Sequence, residues 1–148
     1  MRNKLLPRSP YDRLGGYVHL PRLIDKARLH RKGLLNGYNY KTVGFDKHLL
    51  AFLKLDPEAF EEAANRLDDD DAVLNWVNEN GTRNSPESIE QWNEAMISRQ
   101  PDTPVKKARF LHVLKESGGT GREDIRTYFD LIEFDEGRLT RASQPERV

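Results

Sequence analysis

Five basic residues, a glycine pair and a histidine stand together in "LPRSPYDRLGGYVHLPRLIDKAR", residues 6–28. Arg8, Arg13 and Arg22 beside Gly15-Gly16 suit the capture of a carboxylate or phosphate. Guanidinium forks hold such anions through paired hydrogen bonds, and glycine lets backbone N–H groups come close. Tyr17, Leu20, Leu23, Ile24 and Ala27 share one helical face, so a helix follows, and Pro21 is tolerated only near its first turn. That places the helix N-terminus at Gly15-Gly16, where free N–H groups would add to an anion site. The plainer reading is that the glycines only start the helix.

Two residues in this stretch could act as a general base. Asp25 lies beside the apolar stripe, with Arg22 and Arg28 three residues away on either side, so structural ion pairing competes with catalysis. Of the four histidines, His19, His30, His48 and His112, none has the spacing that puts two ligands on one helix face. His19 flanks the apolar face and is the strongest candidate, with His48 or a distant acid as a conceivable companion. His112, between Arg109 and Glu116 on a polar flank, reads as solvated. No metal site and no cofactor is expected, since three or four ligands would have to converge.

Other suggestive stretches have simpler explanations. "DDDD" (68–71) lacks the alternating spacing of a calcium loop and sits where a helix begins, so one aspartate caps and its neighbours favour the dipole. "SGGTGRED" (117–124) follows a helix rather than a strand and lacks the Lys-Ser/Thr ending of a phosphate loop, so Thr120 starts the next helix. Trp76 and Trp92 read as core. Asn93 and Glu94 could face a pocket, but no spacing demands it. "FDEGR" (134–138) either ends a helix or docks on the basic N-terminal third.

The elements that position these residues are helical. Asp56-Pro57, Ser85-Pro86 and Thr103-Pro104 each pair an N-cap with a proline suited to the first helical position. Together with apolar periodicity they predict helices near 17–30, 45–53, 57–66, 69–80, 86–99, 104–117 and 122–134. Ile125, Tyr128, Phe129 and Ile132 form the stripe of the last, and Gly81 suits a left-handed cap after the fourth. "LLNGYNYKTVGF" (34–45) reads as an extended loop or a short hairpin turning at Asn36-Gly37. The expectation is an all-α fold of six or seven helices in one domain. Residues 1–12 form an N-terminal arm and 139–148 a polar, flexible tail.

Leu, Ile, Val and Phe supply 36 of 148 residues, enough for a folded domain, while charged residues make up 32%. The net charge is zero, yet residues 1–54 hold 12 Lys/Arg against 3 Asp/Glu, and residues 55–100 hold 3 against 12. The favoured reading packs the basic third beside the acidic third, within one chain or across a homodimer. The acidic third also argues against nucleic acid, although "GYNYK" (37–41) interleaves aromatic and basic residues. There is no cysteine, no signal-peptide core in "MRNKLLPRSP", and no apolar run longer than "LLAFL" (49–53). A soluble cytoplasmic protein without membrane contact is expected.

Three segments in order carry a resemblance: "LPRSPYDRLGGYVHLPRLIDKAR", "GFDKHLLAFL" and "SIEQWNEAM…DIRTYFDLIEFDEGR". From about Leu6 to Arg138 the chain resembles a bacterial family known as domain-of-unknown-function family 5069. The resemblance implies a bacterial origin and a self-contained unit, and it carries over no activity and no site residue. The residues themselves favour a non-catalytic binding module. It would take an anionic metabolite or a protein partner through Arg8, Arg13, Gly15, Gly16 and Arg22. The alternative is a small enzyme acting on an anionic substrate with Asp25 or His19 as general base, favoured only if both open into one pocket with the arginines.

Overall fold

A computed structural model describes residues 6–139; the predicted tail from 140 on and the first five residues of the N-terminal arm lie outside them. The described residues hold seven helices and one two-stranded hairpin. They divide into two compact units, which meet in the chain between Asn93 and Glu94.

The first unit opens with the hairpin, β1 (Arg13–Leu14) against β2 (Tyr17–Val18), with Arg13 facing Val18 and Leu14 facing Tyr17. Gly15 and Gly16 are its two-residue turn, at φ 62° and 89°. Left-handed conformation at both central positions is the primed turn that matches strand twist, and it favours glycine twice. This corrects one expectation: the glycine pair is a hairpin turn and not a helix N-terminus. Of the two forms expected for 34–45 the chain takes the loop, which runs to 43 and leads into a helix.

Helix α1 (Leu20–Arg31) begins after His19, which is itself left-handed at φ 73°. Pro21 sits in the first turn, where the amide it lacks would have no helical partner. Then follow α2 (Gly44–Leu53), α3 (Pro57–Arg66), α4 (Asp70–Asn80) and α5 (Pro86–Ile97). Asp56 accepts the Ala59 N–H at 2.9 Å and Asp69 the Ala72 N–H at 2.8 Å, so the cap-proline signal and the capping role of the aspartate run hold. Gly81 is extended at φ −112°, not left-handed. Its requirement is space, because a Cβ there would come within 2.5 Å of the Leu53 carbonyl oxygen.

The core of this unit joins Tyr17, Leu20, Leu23, Ile24 and Ala27 to Leu49, Leu50, Leu53, Phe60, Val73 and Val77. Trp76 and Trp92 pack against it half-buried, Trp92 stacked on Phe52 at 5.2 Å. Eight of the twelve residues of α1 are buried, among them the charged Arg22 and Lys26, so this helix hides two faces and carries polar groups into the interior.

The chain enters the second unit within α5. Helices α6 (Pro104–Glu116) and α7 (Tyr128–Asp135) close a smaller core of Phe110, Leu114, Ile125, Leu131 and Phe134. Thr103 caps α6 as expected, while α7 starts six residues later than the predicted 122, with Thr127 rather than Thr120 as its cap. Ile125 still packs into the core, from the turn before the helix. The acids at the end of α7 are used locally: Asp135 accepts the Ser117 hydroxyl at 2.6 Å, and Arg138 pairs with Glu133 and Glu136.

Candidate functional site

The glycine turn borders a cavity of about 270 Å³ lined by Arg13, Gly15, Gly16, Pro86, Ile89 and Glu90. Asn93, fully buried on α5, fixes the hairpin there: its Oδ1 accepts the Val18 N–H at 3.1 Å and its Nδ2 donates to the Gly16 carbonyl at 2.8 Å. Arg13 Nη1 donates to both Glu90 oxygens at 3.0 and 2.9 Å, with 47% and 50% of the two side chains exposed. Arg13, then Asn93, holds the Glu90 carboxyl below its ordinary range. At Gly15 a Cβ would come within 2.5 Å of a Leu74 methyl, so that side chain would have to shift, whereas a Cβ on Gly16 would meet only Ile89, at 3.6 Å.

Three of the five predicted anion-binding residues therefore come together, and two do not. Arg8 and Arg22 line no part of this cavity. Arg8 spans two carboxylates: Nε and Nη2 donate to Asp25 at 3.0 and 3.1 Å, and Nη1 and Nη2 to Asp70 at 2.7 and 3.0 Å. The Arg8 backbone N–H also donates to Asp25, at 2.8 Å. Arg8 holds the Asp70 carboxyl well below the usual range. Arg22, buried, donates to the Arg8 carbonyl at 3.0 Å and lies 5.7 Å from the Tyr38 ring centroid. Arg28, expected beside Asp25, instead binds the Ala64 and Leu67 carbonyls at the end of α3. Asp25 is thus an ion-pair partner of Arg8, a residue from outside its own helix.

His19 does find an acid from elsewhere, and it is Asp46 of α2. The His19 Nε2 lies 2.6 Å from Asp46 Oδ1, and Lys26 Nζ donates to the same carboxylate at 3.2 and 3.0 Å. The Lys41 backbone N–H adds a further bond at 2.9 Å. All three side chains are buried, with Asp46 only 1% exposed. Burial pushes the imidazole below its ordinary range, against the pull of Asp46, so the ring is neutral and its Nε2–H donates a hydrogen bond to the carboxylate. Burial would raise Asp46, but the His19 bond, the Lys26 charge and the Lys41 N–H outweigh it and keep the group ionised. Neither His19 nor Asp25 opens into the cavity beside the turn.

Sequence reasoning missed Lys26, Asp46, Glu90 and the role of Asn93. Asp46 reads as an ordinary first-turn acid and Lys26 as a surface lysine, because their partners are 20 to 27 residues away. A buried lysine was still legible in principle, since Ile24, Ala27 and Leu29 surround it on a helix flanked by apolar positions. Among the described residues, no group of three or more His, Asp or Glu is placed to hold a metal ion.

The structure thus defines a mostly helical protein with a hairpin-edged surface cavity and a separate buried ionic cluster. The chain belongs to the family described as Domain of unknown function (DUF5069), whose model matches residues 4–138. No curated protein matches it.

Proposed function

We propose that the chain is a non-catalytic binding module whose site is the cavity beside the Gly15-Gly16 turn, taking a small carboxylate- or phosphate-bearing ligand. The observation that carries this reading is the convergence of Arg13, Gly15 and Gly16 on one cavity. The open space beside Gly16 leaves room for close approach, and Pro86 and Ile89 supply an apolar wall. Arg13 is engaged by Glu90, a half-exposed glutamate, and such pairs exchange for another carboxylate at little cost. Isothermal titration of the full chain with inorganic phosphate and with acetate tests the reading. Saturable binding that Arg13→Ala abolishes supports it; no heat with either anion, or heat unchanged in the variant, overturns it.

A second reading is a small enzyme acting on an anionic substrate with His19 as general base. The 2.6 Å bond to Asp46 favours it, because a carboxylate on one ring nitrogen orients the imidazole and stabilises its protonated form. Asp25 as the base is less favoured, being engaged by three donors of Arg8. The enzyme reading needs the cluster to meet solvent.

A further inference from the structure

We infer that residues 33–44 form a hinged strap over the His19–Asp46–Lys26 cluster, and that lifting the strap opens this polar site while the helices stay folded. The inference goes beyond both readings above and stands whichever of them is right.

Each end of the strap is a glycine in the left-handed region, Gly33 at φ 75° and Gly44 at φ 63°. A Cβ at either would have nothing within 4 Å, so the side-chain direction at both ends is open space. The Gly33 end is tied to α1 by two backbone bonds, Gly33 N–H to the His30 carbonyl at 3.0 Å and Leu34 N–H to the Leu29 carbonyl at 2.9 Å. Leu34 and Val43, next to these two glycines, are exposed, which leaves the strap ends without apolar anchorage.

Tyr40 rests half-buried against the core and the Arg22 guanidinium lies 5.7 Å from the Tyr38 ring, but the directional contacts that hold the strap closed are polar. The Lys41 N–H donates to Asp46 at 2.9 Å, from a residue itself left-handed at φ 45°, a costly conformation for lysine. Tyr40 donates its hydroxyl to Glu61 at 2.8 Å, and the Lys41 ammonium binds Glu61 at 2.9 Å and Glu58 at 2.8 Å. His30 and Tyr40 pack ring on ring at 4.8 Å. Glu61 of α3 is therefore the latch and Asp46 the seat. Local openings come from segments with few apolar contacts and hydrogen bonds of this kind.

The cluster beneath has no packing reason to be ionic. Apolar side chains of similar volume often serve as well as a buried ion pair or better, so three polar side chains kept under a removable cover are in the place for chemistry or binding. When Lys41 leaves, Asp46 loses one N–H donor and keeps His19 and Lys26, so the carboxylate stays paired while the site meets water.

The test is acetylation of the full chain by an N-hydroxysuccinimide ester, read at Lys26 by mass spectrometry, together with amide exchange. Lys26 is expected to label in native buffer at a rate nearly independent of urea below the unfolding transition, because a small opening exposes little surface. The Lys41 amide is expected to exchange at least about tenfold faster than the amides of Leu23 and Ile24. Glu61→Gln weakens the latch and is expected to raise the Lys26 rate about threefold or more, and Tyr40→Phe, the milder change, to raise it less. Lys26 labelling that tracks urea as the core amides do would overturn the inference. So would a rate left unchanged by both variants.

Discussion

At the residue scale the chain spends its charges in two different ways. Asp46 is buried with Lys26 and His19, and removing the lysine would strand a carboxylate in the interior. Lys26→Met is therefore expected to cost about 3–5 kcal/mol in urea denaturation, the range for an uncompensated buried charge. Arg8 bridges Asp25 and Asp70 at the edge of the unit, with about a third of its side chain in water. Screening reduces its contribution, and Arg8→Ala is expected to cost about 1–2 kcal/mol in the same measurement. The pH dependence follows from His19. Its folded-state pKa lies below the unfolded value, so the unfolded chain binds more protons between the two. Stability contributed by the neutral ring is complete above about pH 6.5, the unfolded value, and falls as the pH drops toward the folded one. His19→Gln is expected to flatten the stability profile below about pH 6.5, in thermal melts compared with the parent chain. An equal slope in both proteins would assign that titration elsewhere.

At the scale of elements, Gly81 is required for space and Gly15 for turning. Gly81→Ala would drive a Cβ to 2.5 Å from the Leu53 carbonyl, which is backbone and cannot swing away. A loss of about 2 kcal/mol is expected, the usual cost of overpacking. Gly15→Ala, against the Leu74 side chain, is expected to destabilise more than Gly16→Ala, which has Ile89 at 3.6 Å as its only neighbour. Melting temperatures of the two variants check the order. The helices themselves were legible, because Asp56, Asp69 and Thr103 announce their starts through local chemistry. The hairpin was legible too, as Gly-Gly between short apolar-containing runs, but the helical wheel from Tyr17 outweighed it. Tyr17 is buried in the same core as Leu20 and Leu23 while lying in a strand, so the shared apolar face arises from packing rather than from a continuous helix. The start of α7 failed for the same reason: Ile125 belongs to the stripe in space and not to the helix.

At the scale of the molecule, the opposition between a basic first third and an acidic second third resolves within residues 1–93. Arg8–Asp70, Arg13–Glu90, Arg31–Glu61 and Lys41 with Glu58 and Glu61 all join one to the other. Charge counts announced this meeting, but could not say which residues would pair, since separations of 17 to 77 positions are set by helix packing. The pairs are mostly half-exposed, so salt should weaken them together. Raising NaCl from about 0.05 to 0.5 M, which shortens screening to a few ångströms, is expected to lower the melting temperature, with Lys26–Asp46 little affected because it is buried. An unchanged melting temperature would mean that these pairs contribute nothing net to the fold.

The central claim is that an anion binds beside the glycine turn, and backbone amide shifts report on it residue by residue. In a ¹H–¹⁵N titration of the full chain with phosphate, the account predicts saturable shifts centred on Gly15, Gly16 and Ile89, lost in Arg13→Ala. Shifts that never saturate, or that centre on residues away from this cavity, would contradict it.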